Sequence, residues 1–158
     1  MMVVKQSELT VITKAKELCS YVLTISDKSP KKFRFTLSSR LQNYSISIVE
    51  QLLYANEVRM AVKNTQLLGK RLEMRRNFQQ QAFTDMKMLA YLSQLAMEQQ
   101  CILPRQYEQI TKGLYDCQNL LGAWPGNNVN NNNVNNDNAL VPAWPCCQMA
   151  DLSRLSRT

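Results

Sequence analysis

The sequence predicts an all-α protein, an up-down-up-down four-helix bundle. Three observations lead there. Apolar residues recur at spacings of three and four along four successive segments, which is the period of one helix face. The 158-residue chain has only 4 Gly and 5 Pro, too few for a sheet-rich fold full of tight turns. No alternating apolar and polar segment of useful length competes.

The first helical stripe is Leu9, Ile12, Ala15, Cys19, Val22 and Ile25, and it stops at Ser26-Asp27-Lys28-Ser29-Pro30. Ser29 fits an N-cap and Pro30 the first helical position, where a missing N–H costs nothing. The second stripe is Phe33, Leu37, Leu41, Tyr44, Ile48, Leu52 and Ala55, with room to run to Val62. Asn64-Thr65 can end one helix and cap the next. The third stripe, Leu68, Leu72, Ala82, Met86, Leu89, Leu92 and Ala96, ends near Gln99. At ~1.5 Å per residue it spans roughly 45–50 Å. Cys101-Ile102-Leu103-Pro104 reads as a turn. The fourth stripe is Leu103, Tyr107, Ile110, Leu114, Cys117 and Leu121. Gly122 fits a C-terminal cap, and Trp124-Pro125-Gly126 stops the helix. Short connections between amphipathic helices give neighbouring antiparallel pairs. The unequal lengths predict that the second and third helices project or bend.

Composition divides the chain near Trp124. Residues 1–124 form the predicted bundle and carry 17 basic against 10 acidic side chains, the whole of the chain's +7. Residues 125–158 are neutral, and nine of the twelve residues from Asn127 to Asn138 are Asn. Such a stretch buries too little apolar surface to offset its ordering entropy and reads as a low-complexity tail.

The same composition narrows the chemistry. The chain has no histidine, which excludes a His-based triad, a His-ligated metal and an imidazole switch. Cys19, Cys101 and Cys117 are isolated and Cys146-Cys147 are vicinal, so no C-x-x-C pair offers a metal site. Glu50, Glu57, Glu73 and Asp85 sit among helical polar positions, and nothing pairs two of them across a cleft. Phosphate-loop, nucleophile-elbow and dinucleotide fingerprints are absent. The expectation is a binding protein without catalytic residues, metal or cofactor. No apolar run approaches the ~18 residues of a membrane span. Lys5, Glu8, Lys14, Lys16 and Glu17 interrupt the N-terminal apolar residues too often for a secretory core segment. A cytoplasmic, reduced protein is expected.

Two basic clusters carry the functional signal. Lys28, Lys31, Lys32, Arg34 and Arg40 fall within thirteen positions without an acid. Arg59, Lys63, Lys70, Arg71, Arg75 and Arg76 fall within eighteen, opposed only by Glu73. In an antiparallel bundle the second cluster gathers where the second and third helices meet, and the first lies toward the opposite end. Two positive zones suit a polyanion, because each neutralised phosphate releases counterions. A solvated helix face is the plain alternative. No aromatic residue is read as interleaving with these clusters to stack bases, so sequence-specific single-strand readout is not expected. Backbone-directed binding to structured RNA or a nucleoprotein is the form expected.

The segment Ser29-Pro30-Lys31-Lys32-Phe33-Arg34-Phe35-Thr36 leads to Leu41 and then Leu52-Leu53-Tyr54-Ala55-Asn56, with Gly122-Ala123-Trp124 closing the last helix. This layout resembles the four-helix-bundle family of ribosomal RNA intervening-sequence proteins. That family includes the accessory variability determinant (Avd) of diversity-generating retroelements. The resemblance covers roughly residues 5–124. It implies a non-catalytic, basic, homopentameric bundle that associates with the retroelement reverse transcriptase and with template-repeat and flanking RNA. Such a protein supports mutagenic cDNA synthesis and mutagenic retrohoming. Lys31, Lys32 and Arg34 match the family's basic motif in kind; the second cluster matches only in basic character. The Asn-rich tail departs from the family. Asn codons are adenine-rich, so the tail reads either as a translated template repeat, since such repeats lie near the accessory gene, or as an Asn-rich linker. Ala123-Trp124-Pro125 recurs as Ala143-Trp144-Pro145 around it.

Val11, Leu23, Ile46, Val49 and Leu53 lie off the main stripes, and helices apolar on a second face usually bury it in an interface. A homo-oligomer is therefore expected. A self-associating bundle of the intervening-sequence type, with generic RNA or protein contacts, stays open as the alternative. A weaker third reading is an adaptor for an acidic protein.

Overall fold

The computed structural model describes residues 2–124, with side chains from Thr10 onward. These fall in one compact unit, Met1–Asn127, and the Asn-rich tail lies outside the described residues. Four helices form: α1 (Met2–Asp27), α2 (Ser39–Glu57), α3 (Thr65–Glu98) and α4 (Pro104–Gly122). α1 and α3 each pack against both α2 and α4. The architecture is thus the expected up-down-up-down bundle, with α1 and α3 on one diagonal. Among the described residues there is no strand, and no helix is long and apolar enough to cross a membrane.

Most residues of the predicted stripes form the core; Leu103, before the first turn of α4, is instead 65% exposed, and Phe33, Leu37 and Tyr44 are half-buried. Ile12, Ala15, Val22 and Ile25 of α1 face Leu41, Ile48, Leu52 and Ala55 of α2, Ala82, Met86, Leu89 and Ala96 of α3, and Ile110, Leu114, Cys117 and Leu121 of α4; all are buried. Val11 and Leu18 join them, Val11 fully buried. Val11 therefore belongs to the subunit's own core and not to a second apolar face, whereas Cys19 is only half-buried. Gly113 allows α1 and α4 a close approach, since a Cβ there would meet Leu18 Cδ1 at 3.0 Å.

The connections depart from the expected forms. α2 does not begin at Pro30. Lys31–Phe33 form one 3₁₀ turn, Arg34–Ser38 one π turn, and the α-helix starts at Ser39. Ser29 caps nothing downstream; its Oγ donates back to the Ile25 carbonyl at 3.2 Å. α2 also stops at Glu57, short of Val62, and Val58 turns extended. Asn64 caps α3 as expected, its Oδ1 accepting from the N–H groups of Gln66 and Leu67. α3 ends without glycine. Gln100 takes the left-handed position at φ 60°, Cys101 N–H bonds the Ala96 carbonyl, and Gln100 N–H bonds that of Met97. That pairing satisfies the last carbonyls of the helix. Gly122 lies inside α4, and Ala123 closes it in a right-handed conformation.

With 34 residues, α3 is about 50 Å long and outruns α2. Arg75 lies level with the last turn of α2, so Thr65–Met74 extend beyond it by roughly 15 Å. Leu68 and Leu72, expected in the core, are only half-buried because this overhang has no full set of neighbours.

Candidate nucleic-acid interface

The antiparallel order sends the two basic clusters to opposite ends of the bundle. At one end lie the α1–α2 connection and the α3–α4 turn, brought together where Ser38 Oγ meets Cys101 Sγ at 3.9 Å. At the other lie the α2–α3 connection and the end of α4.

The first end holds Lys28, Lys31, Lys32, Arg34 and Arg40, all exposed. Among the described residues no carboxylate is within ion-pairing distance of any of them; the Lys14–Glu17 ion pair at 2.8 Å lies further back on α1, facing the groove toward α4. Arg105 is exposed at the start of α4 and adds to the same end. The connection is held in shape by its backbone. Phe33 N–H bonds the Pro30 carbonyl at 3.0 Å, and Ser39 N–H bonds the Arg34 carbonyl across the π turn. Single π turns are frequent at functional sites.

One feature of this end runs against the sequence expectation. Phe33 and Phe35 alternate with the cations, and only Phe33 is drawn inward. Lys32 Nζ lies 4.8 Å from its ring centroid. Phe35 is 89% exposed. The reading of the clusters as lacking an interleaved aromatic side chain is thereby corrected at this position. The signal was present in the sequence, because Phe35 falls two residues from Phe33 and cannot share its helical stripe.

The second end divides its cations between two tasks. Arg59, Lys63 and Lys70 are exposed, and Arg76 is half-buried without a carboxylate partner among the described residues. Arg71 and Arg75 are committed to the fold. Arg71 Nη1 donates to the Arg59 carbonyl at 2.9 Å. Arg75 Nε donates to the Ala55 carbonyl at 3.1 Å and its Nη2 to that of Val58 at 2.9 Å. Its guanidinium carbon lies 5.9 Å from the centroid of the fully buried Trp124 ring. Arg75 therefore ties the end of α2 to α3 and to the end of α4. A planar fork suits two carbonyls as well as it suits phosphate. Sequence alone does not distinguish these uses, since both need only a cation near a helix end.

Elsewhere the described residues offer little chemistry. No group of three His, Cys, Asp or Glu is arranged to hold a metal ion. A shallow groove of about 240 Å³ between α1 and α4 is lined by Lys14, Glu17, Tyr21, Lys112 and Asp116, among others, and its charges balance. Beside it Cys117 is fully buried, and burial, reinforced by the negative Asp116, pushes its thiol up to about 12. A thiol so placed is protonated at neutral pH and is a poor nucleophile. Asp85 is buried between α2 and α3 and accepts from Ser47 Oγ at 2.6 Å and Gln81 Nε2 at 3.1 Å.

Comparison of the chain with protein-family models finds no match, and comparison with curated proteins finds none either.

Proposed function

We propose that this chain is a non-catalytic accessory protein of a diversity-generating retroelement, of the Avd kind. It binds RNA and the reverse transcriptase through the two basic ends of its bundle and supports mutagenic cDNA synthesis. The observation that carries this reading is the set of exposed cations at both ends of a four-helix bundle that form no ion pair among the described residues, in the setting of the Ser29–Thr36 motif. The cations offered to phosphate are Lys28, Lys31, Lys32, Arg34 and Arg40 at one end and Arg59, Lys63, Lys70 and Arg76 at the other. Arg71 and Arg75 contribute to the local potential while holding backbone carbonyls. The protein works in the cytoplasm as a homopentamer, and residues 125–158 stand apart from its working domain.

Co-purification with a retroelement reverse transcriptase, and titration of template RNA against salt, test the proposal. Three or more phosphate contacts give a log–log salt slope steeper than about −2. A salt-insensitive affinity, or no association with polymerase or RNA, refutes it.

The second reading, a self-associating bundle without a retroelement partner, shares with the first the support of one observation. Ile46 and Leu53 are about two-fifths exposed and share one face of α2 with the half-buried Val49. An apolar stripe of this kind, left open in the subunit, is the surface a homo-oligomer covers. Light scattering of the wild type and of Ile46→Glu/Leu53→Glu checks the assembly. Co-purification decides between the readings, since only the first requires the polymerase.

A further inference from the structure

We infer that Phe35 is a stacking platform for an unpaired nucleobase, so that the first basic end binds single-stranded RNA and not only the phosphates of a folded one. The inference rests on the RNA-binding reading above and deepens it by naming the form of RNA that this end takes.

The local structure holds the ring outward. Phe35 is 89% exposed, the most exposed of the large apolar side chains described. It does not sit on a loose loop. The turn that carries it is closed by Phe33 N–H on the Pro30 carbonyl and by Ser39 N–H on the Arg34 carbonyl. Ser38, three residues on, is buried against Cys101. In an α-helix residues three apart share a face, so Phe35 would lean toward the side that Ser38 buries. The π turn winds more slowly and separates the two, leaving the ring in solvent while Ser38 stays anchored. Phe33, by contrast, is half-buried and has Lys32 Nζ over its ring.

Charge specifies the occupant. Lys31, Lys32 and Arg34 lie within four positions of Phe35 and are exposed, with no carboxylate in ion-pairing distance among the described residues. A second copy of this chain packing there would bring like charges together. A strand of nucleic acid offers the complement to both features, a π-face for the ring and phosphates for the cations. Stacking of this kind tolerates any base, because every base has a flat face.

The test is fluorescence anisotropy on the full chain with three labelled RNAs of equal phosphate number: a single strand, the same strand with abasic positions, and a duplex. Phe35→Ala is expected to weaken single-strand binding roughly 5- to 150-fold, the range for losing one stacked base, and to leave abasic and duplex binding unchanged. Phe35→Trp restores single-strand affinity. Lys31→Ala/Lys32→Ala/Arg34→Ala weakens all three RNAs and flattens the single-strand salt slope by about 0.7 for each phosphate no longer neutralised. Circular dichroism and light scattering of each variant report fold and assembly. Single-strand binding by Phe35→Ala equal to wild type overturns the stacking role while leaving the RNA-binding reading intact. A smaller assembly on Phe35→Ala also overturns it, because the ring then covers a second copy. Failure of the wild type to bind any of the RNAs overturns both.

Discussion

Replacing Arg75 with Ala removes a clasp between three helices, and its cost follows from the groups the side chain touches. The guanidinium donates at 3.1 Å and 2.9 Å to the carbonyls of Ala55 and Val58, where the C-terminal end of α2 has unsatisfied acceptors. A hydrogen bond from a charged donor contributes about 1.5–3 kcal/mol net. The stacking on Trp124 adds about 0.5–2 kcal/mol, the higher figure applying where water is excluded. These terms overlap, and the half-buried site lets water reach the freed carbonyls. The expected net loss is therefore ~3 kcal/mol rather than the sum, which lowers the melting temperature by roughly 10–15 °C in a bundle of this size. Arg75→Lys keeps the charge but not the fork, and recovers about half. Urea unfolding followed by circular dichroism measures both variants. In parallel, the salt slope of RNA binding is expected to be unchanged in folded Arg75→Ala and reduced by about 0.7–0.9 in Lys31→Ala, the usual value for one phosphate contact. An unfolding free energy for Arg75→Ala within ~0.5 kcal/mol of wild type refutes the clasp.

Four further outcomes follow from single features of the bundle. Gln79 is 1% exposed and neither its Oε1 nor its Nε2 has a hydrogen-bond partner among the described residues, so Gln79→Met is expected to raise stability by ~1–3 kcal/mol in urea unfolding. Asn64→Ala removes the side-chain cap from α3 and costs about 1 kcal/mol by the same assay. Gln100→Gly relieves the left-handed strain at φ 60° and gains about 0.5–1 kcal/mol, read as a higher melting temperature. Cys117 gives a pH dependence: its thiol titrates near 9 in the unfolded chain and about 12 in the fold, so its contribution is intact below pH 9 and is lost as pH rises from 9 toward 12. The slope is at most ~1.4 kcal/mol per pH unit, and Cys117→Ala is expected to flatten the alkaline fall in stability; equal slopes in the two proteins count against it.

The fold was legible where periodicity decides it. The four stripes and Asn64 as a cap follow from spacing and local chemistry, because each concerns residues within a turn or two of one another. The misplaced features depend on partners distant in sequence. α2 stops at Glu57, and the carbonyls of Ala55 and Val58 at its end are held by a side chain up to twenty residues on, which nothing in the segment up to Val62 announces. Leu68 and Leu72 have the right period for a core, yet α2 is too short to cover them. Val11 looks surplus on a helical wheel and is fully buried, since α1 is flanked by both α2 and α4 and buries a wider arc than one stripe.

The candidate site shows the same division. A run of cations in sequence reports the charge of a region and not the task of each side chain. Arg71 and Arg75 bond carbonyls 12 and up to 20 positions away, whereas Arg59, Lys63 and Lys70 remain exposed. The two ends of the bundle thereby become unequal. At the α2–α3 end, part of the positive charge is immobilised in the fold, so phosphate binding there draws on fewer free side chains. At the α1–α2 end, none of the five clustered cations is paired with a carboxylate among the described residues, and an exposed ring stands between them. If one end holds RNA and the other a protein partner, charge availability assigns the RNA to the α1–α2 end. Charge reversal at Lys31, Lys32 and Arg34 is then expected to abolish RNA binding while polymerase co-purification persists, and reversal at Lys63 and Lys70 to do the opposite. Equal loss of both activities from either set removes the assignment.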